Sequence, residues 1–322
     1  MLIKEISVPS TDGKNVLKGR LFLPEGEPAG TVQLVHGMAE HITRYEPFMN
    51  RLCEAGYIVF GHDQVGHGDT AQAAAEPGDI KALDAALGYI APRRGWKILL
   101  NDIDAFRRGV FGQLKKQGLD PDSLPYVLFG HSMGSFEVRI ASEMFRKPDK
   151  LVVMGTGGPN PAAGAGKALA GLIKVFCGAR HVSGLLDKLM FGAYNARFKN
   201  EPDGDEYSWL STVKNTRVNY IRDKFCGFKF KTAALGDLIT LTLKANSGAW
   251  FRKFDTEMPT LLISGTDDPV GAYGEGVKKV YRKLSDRGAR VTLKLVPGER
   301  HELLNEKGRE ETIREILEFI GR

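Results

Sequence analysis

The sequence predicts an α/β fold in which a mostly parallel central sheet is flanked by helices and interrupted by an inserted helical cap. Short β-branched or apolar runs alternate with longer helical patterns over the first 156 residues and again from about residue 257. Several of those runs are apolar at consecutive positions, as strands covered on both faces must be. From Gly157 to Thr256 the alternation stops and short amphipathic patterns replace it. Residues 1–156 and 257–322 therefore read as two parts of one core, and 157–256 as an insertion.

The strands expected in order are "VLKGRLFL" (16–23), "TVQLVHG" (31–37), "YIVFGHD" (57–63), "YVLFG" (126–130), "LVVMGT" (151–156), "TLLISG" (260–265) and "VTLKLVPG" (291–298). Helical periodicity covers 46–55, 98–117, 133–145, 276–284 and 308–320. Inside the insertion, Leu169, Leu172, Ile173 and Phe176 fall at i, i+3, i+4 and i+7. Leu185, Leu186, Leu189 and Met190 make a second stripe behind Ser183, a candidate N-cap. Helices with an apolar face and no sheet of their own suit a cap across the carboxyl edge of the sheet, where open α/β sheets take ligands.

Composition narrows the function classes. The chain has 322 residues, 42% hydrophobic and 26% charged, which suits an ordinary folded protein and excludes disorder. Its net charge of +6 is spread among interleaved acids, and the densest basic run, "YIRDKFCGFKFK" at 220–231, reads as a solvated edge, so nucleic acid is not an expected partner. Cys53, Cys177 and Cys226 are too far apart for a disulfide framework or a metal cluster and suit a reducing compartment. "MLIKEISVPS" lacks an apolar signal core, and no apolar run approaches the roughly 18 residues of a membrane span, so a cytoplasmic location is expected.

"YVLFGHSMGSFEVRIASEMF" carries the chemistry: a buried strand ends in Gly130-His131-Ser132-Met133-Gly134 and turns straight into a helix. A serine at so tight a turn needs small flanking residues, because strand and helix backbones close on each other. Its hydroxyl is a weak nucleophile and needs a histidine base oriented by an acid, which follow the serine in the chain order acid, then His. Downstream of Ser132 only His181 and His301 are available, and His301 directly follows the last expected strand. The acid is Asp268 or its neighbour Asp267; Asp268 is favoured by the Gly-x-x-Asp spacing and by Pro269. Oxyanion donors are expected from the backbone N–H of Met133 and, on the loop after an early strand, of Met38.

The remaining eye-catching residues read as structural. His62, Asp63, His67 and Asp69 suit a tight loop rather than a metal site, His36 suits a loop brace, and His131 suits a brace for the elbow. Glu40, His41, Arg44 and Tyr45 suit either the mouth of a pocket or, the favoured reading, a tie holding the oxyanion loop. No P-loop or dinucleotide fingerprint occurs, and no cofactor or metal is expected.

"HGMAEHITRY", "GHDQVGHG", "FGHSMGS", "ISGTDDPVG" and "PGERHELLNE" resemble, in order and spacing, the α/β-hydrolase superfamily and within it the monoacylglycerol lipase and lysophospholipase-like branch. "YSWLS" and "YIRDKFCGFKF" are similar to a bacterial subgroup that usually has Asp-Pro-Leu-Cys-Gly-Phe where this chain has Asp223-Lys224-Phe225-Cys226-Gly227-Phe228. The resemblance implies a serine ester hydrolase whose cap admits an acyl chain, with a small acyl ester as partner and at most transient contact of the cap with a membrane surface. The rival expectations are a short-chain carboxylesterase, an aminopeptidase using "EPDGDE" (201–206) to hold an amino terminus, and a non-catalytic binder on the same fold.

Overall fold

The computed structural model describes residues 1–198 and 200–321. Strands β1 (Leu2–Pro9), β2 (Val16–Leu23), β3 (Gly30–Val35), β4 (Tyr57–His62), β5 (Tyr126–His131), β6 (Lys150–Met154), β7 (Thr260–Gly265) and β8 (Val291–Val296) form one sheet, ordered β1-β2-β4-β3-β5-β6-β7-β8. β1 and β2, and β2 and β4, pair antiparallel; the other neighbours pair in parallel. β3, β4, β5 and β7 are buried at every position, which is why they read as continuous apolar runs. β1 was not among the expected strands. Only Ile6 and Val8 of its apolar residues face the core, while Leu2 and Ile3 lie exposed at the sheet edge, so its alternation is diluted.

The helices are α1 (Glu46–Glu54), α2 (Gly68–Ala73), α3 (Ile80–Ala86), α4 (Gly95–Lys116), α5 (Met133–Ala141), α6 (Ala163–Cys177), α7 (Gly184–Phe191), α8 (Lys214–Arg222), α9 (Thr232–Ala245), α10 (Gly248–Lys253), α11 (Glu275–Ser285) and α12 (Arg309–Gly321). α1 and α12 close one core against the sheet through Met49, Leu52, Ile313 and Ile316. α4, α5 and α11 close the other through Phe106, Val110, Val138 and Val280. Two hydrophobic layers on one sheet are the expected three-layer arrangement.

Between β6 and β7 lie α6 to α10. α9 packs on α4, α5 and α6, and so ties the interval to the helix that follows Ser132. Ser183 caps α7, its Oγ accepting the Leu186 N–H at 3.3 Å. The two apolar stripes are split: Leu169, Ile173 and Leu186 pack inward, but Leu172, Phe176, Leu185 and Leu189 are exposed. Met190 also packs on the core, so each stripe sends part of its apolar residues inward and part into solvent. Among the described residues no helix is long and apolar enough to cross a membrane.

Candidate active site

β5 runs buried to its end and turns at Ser132, whose backbone sits at φ 53° and ψ −118° immediately before α5. That conformation is costly for a non-glycine residue and marks a strained turn. The flanking glycines permit it. A Cβ on Gly130 would lie 2.4 Å from the Gly134 carbonyl oxygen, and one on Gly134 would lie 2.2 Å from that of Val35. The Ser132 N–H is itself held by the Met154 carbonyl at 3.0 Å.

Asp268 and His301 come together because the chain after β8 passes directly over the end of β7. A Cβ on Gly265 would lie 2.0 Å from the Glu299 carbonyl oxygen, so only glycine lets the two loops close. His301 Nδ1 donates to Asp268 Oδ2 at 3.0 Å, and both side chains are buried. The Asp268 carboxylate also accepts from the Val270 N–H at 2.9 Å and the Ser264 hydroxyl at 3.2 Å, which fixes its plane. Asp267 turns the other way, half exposed and 3.5 Å from Arg197. Burial disfavours the His301 imidazolium, but the charge and hydrogen bond of Asp268 outweigh it, so its pKa lies above the ordinary histidine value. His301 Nε2 is buried and has no hydrogen-bond partner among the described residues.

Ser132, His301, Met38 and Met133 line one cavity of about 1030 Å³. Apolar side chains dominate its wall, among them Phe136, Leu186, Met190, Leu238 and Ile239. The Trp209 ring stands 5.3 Å from the His301 ring, and His131 stands 4.7 Å from it on another side.

The loop after β3 is tied down as its sequence suggests. Glu40 Oε1 accepts the Gly37 N–H at 2.6 Å and the Tyr45 hydroxyl at 2.8 Å. A Cβ on Gly37 would lie 2.5 Å from that same oxygen and 3.0 Å from Ser132 Cβ. Burial pushes the Glu40 carboxyl up, but His131 and Arg44 outweigh it and hold it well below the usual carboxylate range. His36 Nδ1 donates to the Gly37 carbonyl at 2.8 Å, while its Nε2 accepts the Gln64 N–H at 3.0 Å. His41 Nε2 meets Asp223 at 2.8 Å.

Glu302 was missed in the sequence. Arg44 donates to both its oxygens, at 2.8 and 2.7 Å, and to Glu40 at 2.7 Å, so one guanidinium joins the loop after β3 to the loop carrying His301. The only signal was an acid beside the candidate base. Trp209 was also missed, since nothing in "YSWLS" announces a ring beside His301. The chain around it is fastened by the Glu302 N–H on the Leu210 carbonyl at 2.8 Å and by Arg300 on the Ser208 carbonyl at 2.6 Å.

In the loop after β4, Asp63 accepts the Ile42 and Asp69 N–H groups, each at 2.7 Å, and His62 stacks on Phe106 at 4.6 Å. Burial draws the His62 pKa down to about 3. His131 braces the elbow through Tyr45 at 2.7 Å and the His301 carbonyl at 3.2 Å.

The chain is similar to known proteins over most of its length. The family described as serine aminopeptidase, S33, matches residues 26–308. Human monoglyceride lipase is 30% identical over 115 residues, a stretch covering 36% of this chain and 30% of that protein. Among solved structures, a thermostable carboxyl esterase from Bacillus coagulans in complex with glycerol superposes with a TM-score of 0.85 at 28% identity, over 99% of this chain and 98% of that one. A lipase in its open form gives 0.86 at 27% identity over the same shares. The chain belongs to the serine aminopeptidase S33 family of α/β hydrolases.

Proposed function

We propose that this protein is a serine hydrolase of carboxylic esters with an acyl chain, of monoacylglycerol or lysophospholipid type. The observation that carries the proposal is a buried imidazole, held by Asp268 at 3.0 Å and with its other nitrogen unpartnered, in the same apolar cavity as Ser132. His301 takes the Ser132 proton as the hydroxyl attacks the ester carbonyl, and the Met38 and Met133 N–H groups receive the oxyanion. The imidazolium then protonates the departing alcohol, and water activated by His301 releases the acid from acyl-Ser132.

Residues 157–256 serve as the cap. Leu172, Val175, Phe176, Leu185 and Leu189 are exposed there, and Ala163–Phe191 holds four Lys or Arg against one Asp, which favours transient contact with an anionic membrane surface from the cytoplasmic side. An aminopeptidase needs a free carboxylate near the reacting carbonyl to hold an ammonium. Glu40 and Glu302 share the single charge of Arg44, and Glu201, Asp203 and Asp205 are paired with Arg300, Lys214 and Arg217, which leaves Glu206 as the acid of that run on the cavity wall without an ion pair among the described residues; the mainly apolar wall favours the ester reading.

Turnover of p-nitrophenyl esters from acetate to palmitate tests this. We expect kcat/KM to peak at medium or long chains, and anionic vesicles carrying a monoacylglycerol to be hydrolysed faster than neutral ones. A maximum at acetate contradicts the acyl-chain reading, and equal rates on both vesicles contradict the membrane contact.

A further inference from the structure

Among the described residues, Arg139 is a buried cation without an ion-pair partner, unlike the buried Arg107, Arg217 and Arg300. Arg139 lies on α5, two turns beyond Ser132, with only 1% of its surface exposed. Among the described residues no carboxylate pairs with it, and burial lowers its pKa with nothing to offset the effect. A buried guanidinium without a counter-ion is expensive, so the reason for it must lie in what its rigid fork of donors reaches.

One arm of the fork donates to Thr156 Oγ1 at 3.2 Å and to the Gly157 carbonyl at 3.4 Å. The other arm donates to the Ala245 carbonyl and, at 3.2 Å, to Asn246 Oδ1. Asn246 closes the circuit by donating to the Gly157 carbonyl at 3.4 Å. The Trp250 ring covers the guanidinium at 4.4 Å, and its Nε1 donates back to the Arg139 carbonyl. Residues 156–157 are where the chain leaves the sheet after β6, and 245–250 join α9 to α10 on its way back to β7. Arg139 itself does not line the cavity, but Gly157 and Gly158 on one side of it and Leu238, Ile239 and Thr242 on the other do.

We propose that Arg139 is a positioning residue that clamps both roots of the inserted segment to the helix carrying the nucleophile's turn, and so sets the spacing of the two walls that receive the acyl chain. The proposal rests on the ester-hydrolase reading for its substrate, though not for its geometry. A lysine keeps the charge but cannot span both roots, and a methionine fills the space but holds neither.

The test uses the full-length protein and its Arg139→Met, Arg139→Lys and Asn246→Ala variants. In Arg139→Met, KM for p-nitrophenyl decanoate should rise about tenfold while kcat for p-nitrophenyl acetate stays within about threefold, the pattern of lost uniform binding. Arg139→Lys should recover only part of the decanoate KM. Asn246→Ala, which leaves the guanidinium in place, should give a smaller shift of the same kind if Arg139→Met fails to fold. Deuterium exchange, which needs no substrate, should rise at 156–158 and 242–250 in the variants and stay unchanged in β5. Equal losses on both esters, unchanged exchange at both roots, or full recovery by lysine would overturn the clamp. A wild-type protein inert toward every ester, with the exchange pattern intact, would overturn the ester reading alone.

Discussion

At the scale of the residue, the proposed hydrolysis depends on the protonation of His301. The imidazole must be neutral to accept the Ser132 proton, and the Asp268 carboxylate raises its pKa above the ordinary histidine value despite burial. The kcat/KM of the wild-type protein should therefore fall tenfold per pH unit below a midpoint that lies above that ordinary value. Asp268→Asn should move the midpoint downward and lower kcat by about 10⁴, the scale of the same change in a comparable triad. Stability has the opposite sign. A group whose folded pKa is raised stabilises fully below its unfolded pKa, and that contribution is lost as pH rises through the folded value. A pH profile of kcat/KM for both proteins checks the first pair of statements. An Asp268→Asn midpoint equal to the wild-type one would remove Asp268 from the pair.

At the scale of the element, α5 does more than close the turn at Ser132. Glu137 is fully buried on it, and neither carboxylate oxygen has a hydrogen-bond partner among the described residues. Burial pushes its pKa well above the usual range, with Asp102 adding to the effect. The folded protein then holds a proton that the unfolded chain sheds, so this group's effect is to lower stability as pH rises from the ordinary carboxylate value toward the raised one. Glu137→Met should raise the melting temperature at pH 8 and leave it nearly unchanged at pH 4. A variant less stable than wild type at pH 8 would contradict this. α5 also illustrates what a sequence discloses. The strand, the two glycines and the helix at Ser132 were all legible, because each answers a local steric demand. Spacing and Pro269 favoured Asp268 without excluding Asp267, since the two differ in which one faces a loop 33 residues further on.

At the scale of the whole molecule, the parallel core was legible strand by strand because burial on both faces forces continuous apolar runs. β1 was not, because Leu2 and Ile3 lie exposed side by side and only Ile6 and Val8 are left to mark its buried face. The ties between distant loops were equally hidden. Arg44 to Glu302 spans 258 positions, and nothing local about either residue announces the other. The inserted segment was legible as helical, but its outward apolar stripe on α6 and α7 could not be told from a core face, since both have the same period. These layers converge on the proposed reaction, acylation of Ser132 with the help of a buried imidazole. Labelling by a fluorophosphonate probe, read by peptide mass, tests that most directly. The account predicts one probe on the peptide containing Ser132, at a rate that falls as pH drops through the His301 pKa, and none on Ser132→Ala. A Ser132→Ala protein that still takes the probe or hydrolyses decanoyl esters at the wild-type rate would contradict it.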